Sequence, residues 1–372
     1  MARTTGEVRS QKPDCRMQKS GARSPESKVQ SRNRTGRTAA AFLAVGLVAL
    51  VLAQPVVVTR RIEKRVPLSA CRRMVVLHRY GSVTVTGTGD ALALVDALVR
   101  VSTFNRALAE DFAKRVQVQA AAQGDSFMIA TLYPPSTPAD SQLGYEVELN
   151  VRVPAATRAS VSNAFGDVRV AGMTGDCRVS NRFGDVEVDR CTRCDIDNSY
   201  GGVRLIETRG LVTVKNSYGD VDLVEAIGPV QVANRYGTVR TGQSDGEIQI
   251  DNRFGNVIAH PDHGRVSIAN RYGDINAWVA SNELTALSIM SRLGRVDLSL
   301  TGGVPFQLDA NSLQGQISSG FPFVVREVGT AQLMSARQGT GGPRIGLDGV
   351  WSNFVIHQDA AESQPAASEE IR

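Results

Sequence analysis

The chain has 372 residues, 42 of them Lys or Arg and 37 Asp or Glu, and its 35 glycines and 5% aromatics fit many short strands joined by tight turns better than a helical bundle. The formal charge of +5 is unevenly spread: residues 1–37 hold ten basic and three acidic side chains, which leaves the remainder at −2. A generally basic, nucleic-acid-binding body is thereby excluded, while the length permits either two average domains or one stack of repeats.

Residues 1–37 lack apolar periodicity and read as a disordered basic tail. Ala39–Val58 then runs for twenty residues without a charge, enough at 1.5 Å per residue to cross ~30 Å of hydrocarbon. Residues 38–59 are therefore expected to be a transmembrane signal anchor, with a signal peptide cut after Ala53 as the alternative. The anchor is preferred because 37 residues precede the run, whereas a secretory n-region is short. Lys28, Arg32, Arg34 and Arg37 on one flank nearly balance Arg60, Arg61, Lys64 and Arg65 on the other, and the expected arrangement puts the tail inside and the body outside.

Residues 66–154 predict a β-rich cap with one helix. A helical stretch lies around Phe104–Arg115, and strands at Gln117–Thr131 and Tyr145–Val153 flank a Pro-rich loop, Tyr133–Pro138.

From 155 to 280 the sequence repeats. Asn163, Asn181, Asn198, Asn216, Asn234, Asn252 and Asn270 recur at spacings of 18, 17, 18, 18, 18 and 18. Two positions after each comes a ring, at Phe165, Phe183, Tyr200, Tyr218, Tyr236, Phe254 and Tyr272, followed at once by glycine. Upstream, positions −4 and −2 are small or β-branched, as in Val212 with Val214 or Ile248 with Ile250. Period-two alternation means strand and its interruption at glycine means a bend, so each repeat is two short strands, with a second corner at Gly175, Gly210, Gly228, Gly246 and Gly264. The predicted fold is mainly β: a single-stranded parallel β-solenoid of ~18-residue rungs stacked about 4.8 Å apart. His78-Arg79-Tyr80-Gly81 copies the motif with His for Asn, and Ser291-Arg292-Leu293-Gly294 and Asn311–Ile317 echo it. Residues 281–357 are accordingly read as degenerate C-terminal rungs and a cap, and 358–372 as a disordered tail.

The asparagines share a face with the −2 and −4 residues and are expected to form an inward ladder of amides bonded along the stack. The rings are read as packing on one another in preference to binding sugar, with tyrosine hydroxyls at the rim. Position +1 points outward and is arginine at Arg182, Arg235, Arg253 and Arg271, the last three on consecutive rungs. Like charges so close repel, with Asp251 beside Arg253 the one acid placed to help. Two readings stay open: a solvated face that blocks aggregation, or an anion-binding stripe suited to phosphorylated lipid headgroups or acidic polysaccharide.

Dedicated chemistry is sparse. Cys191-Thr192-Arg193-Cys194 has metal or redox spacing but no second pair and no nearby His cluster. Cys177 and Cys194 occupy the same −4 position and should be stack neighbours, as core thiols or as a disulfide. Asp follows the motif glycine at Asp167, Asp185, Asp220 and Asp274, too irregularly for a calcium-binding β-roll. His78, His260, His263 and His357 fall at no equivalent position, so no acid–base set is assembled. No metal, cofactor or catalytic residue is expected.

The basic tail, the single apolar segment, the strand Val147-Glu148-Leu149-Asn150-Val151-Arg152-Val153-Pro154 and the iterated N-x-[FY]-G-D-V-x-V rungs resemble the bacterial toastrack-like, adhesin-like β-strand-repeat family over about residues 70–350. That resemblance implies a cell-envelope protein of unassigned function, its relatives sometimes beside envelope-stress regulators, with no family catalytic residues to place. The expected function is a non-enzymatic, single-pass, membrane-anchored scaffold on the extracytoplasmic side of a bacterial cell, meeting an envelope protein, polysaccharide or anionic lipid headgroup. The alternatives are a regulatory or envelope-stress-sensing module with a cytoplasmic basic tail and, third, a carbohydrate-active β-helix enzyme.

Overall fold

The computed structural model describes residues 54–359, apart from 69–70, 136, 138–140, 243 and 281–282. The basic tail, most of the apolar segment and residues 360–372 lie outside the described residues, among which no helix is long and apolar enough to cross a membrane. One boundary needs correcting. Val56–Thr59, assigned above to the membrane segment, open strand β1 (Val56–Pro67), whose side chains alternate between half-buried and exposed. Apolar content alone merged them with the preceding run, but their period of two continues through Arg60 and Ile62 as a strand.

The fold is mainly β with one helix, and 27 strands join in one continuous sheet. Its regular part is seen in the Asn181 rung: Asp176–Phe183, a turn at Gly184, then Val186–Asp189. Cys177, Val179, Asn181, Val186 and Val188 point inward and are buried. The next rung pairs with it in parallel, residue on residue, Val179 with Ile196, Asn181 with Asn198 and Phe183 with Tyr200. This register carries through from the Asn163 rung to the Asn270 rung. Each rung contributes inward aliphatics such as Val212, Val214, Val221 and Leu223, none more than 1% exposed, and burying each stabilises by roughly 1.5–3 kcal/mol. The single 17-residue spacing is absorbed at the second corner, where Asp189 and Cys194 are one residue closer than Ile206 and Val212.

The main corner explains the motif glycine. From Gly166 to Gly273 its φ is 117–136°, and an added Cβ would lie 2.1–2.4 Å from the carbonyl oxygen of the glycine in the preceding rung. Neither condition tolerates a side chain. After Tyr272 the corner changes. Leu293, Gln314 and Trp351 take φ of 61°, 58° and 52° at the position the ring would hold, so the left-handed residue moves one place back and the N-x-[FY]-G pattern fades.

Both ends depart from chain order. Strands β2 (Arg73–Leu77) and β3 (Val83–Thr88) form the rung that stacks on β8 (Arg158–Phe165) and β9 (Val168–Ala171), so the His78 echo is the true neighbour of the Asn163 rung. The helix and four further strands intervene in sequence. Strand β4 is Leu92–Thr103, α1 is Arg106–Arg115, β5 is Gln117–Gln123, β6 is Ser126–Leu132 and β7 is Gly144–Pro154. β6 and β7 pair in parallel on the far side of β2 and β3, whereas β1, β4 and β7 run antiparallel. The region read as a β-rich cap with one helix is continuous with β1, which starts at Val56, and supplies two rungs, β2 with β3 and β6 with β7. α1 is capped by Asn105, whose side chain accepts from the Leu108 N–H at 3.2 Å, and its last carbonyls accept from Arg60.

At the other end, Arg344–Asp359 inserts between Leu284–Thr301 and the pair Phe306–Leu313 with Ile317–Ser319. Ala331–Gln338 then runs antiparallel to Phe306–Leu313. Gln358 and Asp359, read above as tail, are the end of this inserted strand.

Candidate functional site

Every residue of the repeat belongs to a column, and the columns decide what the face can do. The asparagine column is inward as expected, at 0–5% exposure, but its bonding corrects the amide ladder. Asn163, Asn181, Asn198 and Asn216 donate through Nδ2 to the glycine carbonyl three residues on, at 3.0–3.1 Å, and only Asn234 reaches the next amide, Asn252 Oδ1, at 3.2 Å. The nearest carbonyl is the one turned inward by the left-handed glycine, and it outcompetes an amide one rung away. Asn163, Asn181, Asn198 and Asn216 thus close their own corners, whereas Asn252 and Asn270 reach back to the preceding rung's glycine carbonyls, at Gly237 and Gly255.

His78 fills this column at the first echo. Its Nε2 donates to the Val147 carbonyl and its Nδ1 accepts from Thr131 Oγ1, both at 2.9 Å. Since a carbonyl can only accept, Nε2 carries a proton, and the lowered pKa leaves Nδ1 unprotonated at neutral pH, free to accept from Thr131. Burial lowers its pKa to about 4.

The rings form an unbroken stack, Tyr80-Phe165-Phe183-Tyr200-Tyr218-Tyr236-Phe254-Tyr272, with centroids 4.8–5.4 Å apart and planes within 12°. Tyr133 and Tyr145 close its first end edge-on to Tyr80. Each inner ring face is covered by the next ring, leaving edges to solvent, and an edge gives a sugar no face to stack on. The tyrosine hydroxyl end is at the rim, with Tyr200 and Tyr218 exposed at 44% and 40%.

The arginines lie against this stack. Arg79, Arg182, Arg235 and Arg253 place their guanidinium carbon 5.0–5.4 Å from the centroid of the following ring. This cation–π contact steadies a row that would otherwise repel itself. Asp251 forms no ion pair with Arg253, and none of Arg182, Arg235, Arg253 and Arg271 forms one among the described residues. Register also adds a member: Asn270 pairs with Ser291, so Arg292 follows Arg271 in the column and four consecutive rungs carry arginine.

The face beyond the corner behaves differently. Its outward column reads Arg169, Glu187, Arg204, Asp222, Arg240, alternating in sign from rung to rung, with Arg169 to Glu187 and Arg240 to Asp222 both at 3.1 Å.

Two further columns escaped the sequence reading. The residue after the motif glycine caps the next rung: Asp185 N donates to Asp167 Oδ1, Gly202 N to Asp185 Oδ1, Thr238 N to Asp220 Oδ1 and Asp274 N to Asn256 Oδ1, at 2.7–3.0 Å. The Gly-Asp pairs are corner caps, and the interchange with Asn256 was the available signal. Met173, Cys191, Thr208 and Ala226 line the second corner and are at most 2% exposed. This explains Cys191-Thr192-Arg193-Cys194, whose cysteines belong to adjacent inward columns on a shortened corner. Cys177 and Cys194 are paired neighbours as expected, and all three are free and buried. Cys177 and then Cys194 donate to Cys191, which lowers its pKa and raises theirs. No group of three or more His, Cys, Asp or Glu among the described residues is placed to hold a metal ion.

No family model matches the chain, and no curated protein matches it. Similar solved structures include a candidate cell adhesion protein from Clostridium sporogenes at 10% identity and TM-score 0.25, covering 81% of this chain and 100% of that one. A candidate adhesin from Bacteroides fragilis matches at 9% and 0.28, covering 81% and 97%, and another from Parabacteroides merdae at 8% and 0.26, covering 82% and 97%. These neighbours bear adhesin names, in keeping with the resemblance read from the sequence. At such identities and TM-scores they carry no argument about what this chain does.

Proposed function

We propose that this chain is a non-enzymatic cell-envelope scaffold: a parallel β-solenoid, anchored by the apolar segment before Val56, that presents its outward columns to partners. The observation that carries the reading is the column structure. Asparagine, ring, glycine and the following carboxylate are all consumed in closing corners and covering neighbours, which leaves outward side chains as the positions free to meet a partner. A rigid one-dimensional array offers those side chains at fixed spacing over many rungs, which suits extended recognition better than catalysis at one point.

Cysteine introduced at Thr238, which is part-exposed just past the corner glycine Gly237, tests exposure and side of the membrane together. Labelling from outside intact cells by a membrane-impermeant maleimide supports the reading, with Cys71→Ser to clear the background. Labelling only after lysis sinks it. Partner capture by the full chain, abolished when an exposed column is replaced and intact when the tail 1–37 is removed, separates this reading from a signalling role for the tail.

A further inference from the structure

The outward face of the first strands divides into two parts. In the Asn181, Asn198 and Asn216 rungs its charges are matched apart from Arg182: Arg178 meets Asp195 at 3.1 Å, Asp197 stands opposite Lys215, and Ser199 and Ser217 replace arginine in the +1 column of the last two. In the next four rungs the match is gone. There the +1 column is Arg235, Arg253, Arg271 and Arg292, the −1 column is Ala233, Asp251, Ala269 and Met290, and the −3 column is Gln231, Gln249, Ser267 and Ser288. Four guanidiniums stand against one carboxylate, beside a parallel row of amides and hydroxyls, with two alanines keeping the strip between them shallow.

We propose that this four-rung strip binds a linear acidic polysaccharide, a polyuronate lying along the stack with its carboxylates on the arginines and its hydroxyls on Gln231, Gln249, Ser267 and Ser288. The proposal rests on the scaffold reading and names the partner class of that face. Charge and spacing carry it. Guanidiniums two rungs apart recur at about 9.6 Å, close to the span of two 1,4-linked pyranoses, so in a polyuronate whose carboxylates alternate sides every second carboxylate keeps register with every second arginine. An acidic peptide strand laid the same way repeats its same-face side chains at about 6.6–6.8 Å and falls out of step within two rungs. Guanidinium forks favour carboxylate and phosphate alike, but a phosphate chain leaves the amide and hydroxyl row without partners. The rings beside Arg235 and Arg253 hold these two guanidiniums in place, so less of their side-chain freedom is lost on binding.

The test uses the full chain in mild detergent with polygalacturonate as the probe. The same polymer fully methyl-esterified, inorganic polyphosphate, and phosphatidylglycerol vesicles serve as comparisons. The expected result is binding to polygalacturonate but not to its ester, weakened at least about tenfold by Arg235→Gln, Arg253→Gln, Arg271→Gln and Arg292→Gln together and unchanged by Arg169→Gln with Arg240→Gln on the other face. Gln231→Ala with Gln249→Ala should weaken polygalacturonate binding and leave any polyphosphate binding as it was. All these positions are outward, and an unchanged thermal midpoint shows that each variant is folded. Absence of polygalacturonate binding, equal binding of polyphosphate with no effect of the glutamine changes, or binding to vesicles alone would each overturn the proposal. The scaffold reading survives any of these if the arginine variant still captures envelope partners, and it falls if the body proves not to face outward.

Discussion

The Asn181–Asn216 rungs and the Asn234–Asn270 rungs share one interior and differ on one face. Inside, both halves place small aliphatics, asparagine and corner glycine at the same positions, and both stack rings at 4.8 Å along the edge. Outside, the first half pairs its charges apart from a lone Arg182, and the second aligns arginine on arginine. Packing requirements therefore end at the strand surface. A rung must match its neighbour inward, because a slip of one residue would turn every side chain to the wrong face, but nothing in the stack demands a row of like charge outward. The bare half is tolerated by the fold and not produced by it.

The strongest way to break this comparison is at the shared corner. Gly201→Ala in the matched half and Gly255→Ala in the bare half both force a left-handed alanine with its Cβ 2.2 and 2.1 Å from a carbonyl oxygen. Each should lower stability by about 3 kcal/mol or more, and to a similar extent, in urea denaturation. A difference above ~1 kcal/mol between them would mean that the interiors are not equivalent.

Next in size is the buried histidine of the asparagine column. His78 is neutral in the folded rung, with a pKa near 4, and is protonated below about 6.5 when unfolded. The unfolded chain binds more protons between those values, so the stability of this rung is complete above pH 6.5 and falls by up to about 3 kcal/mol as pH drops to 4. Protection factors at the amides of β2 and β7, the intrinsic exchange rate at each pH divided by the observed rate, should fall as pH drops through that window. His78→Asn should remove most of the dependence, leaving a smaller part from His260, whose pKa burial also lowers.

Corner caps give a middle effect. Asp185→Ala in the matched half frees the Gly202 N–H, and Asn256→Ala in the bare half frees that of Asp274. Each should cost about 1 kcal/mol by thermal denaturation, whereas Asp185→Asn should be near neutral, because Asn256 already does this work with an amide. A large loss from Asp185→Asn would show that the carboxylate charge matters beyond its bond.

The smallest effect sharpens the contrast most, because its sign reverses. Arg178→Gln removes the partner of Asp195 and should destabilise by no more than about 0.5 kcal/mol at low salt. Arg253→Gln relieves repulsion in the bare row and should stabilise by a similar amount, less the cation–π contact, with both effects fading by about 0.5 M salt. Equal signs would show that the two halves are electrostatically alike.

What the sequence determined by itself was everything that repeats. Asn216, Tyr218 and Gly219 recur with their neighbours because each rung meets the same stacking demand, so spacing revealed register, inward face and corner, and even the His78 echo 85 residues before its stack neighbour Asn163. The arginine row was legible for the same reason, although the contact of Arg182, Arg235 and Arg253 with the ring stack was not. Tertiary structure alone decided what happens once per chain. That includes β6 and β7 stacking outside β2 and β3, Arg344–Asp359 inserting ahead of Phe306–Leu313, Cys191 turning in beside Cys194, and Arg292 joining the column. A parallel edge accepts any strand with matching apolar alternation, whatever its distance along the chain, so the order of the terminal rungs leaves no periodic trace in the residues themselves.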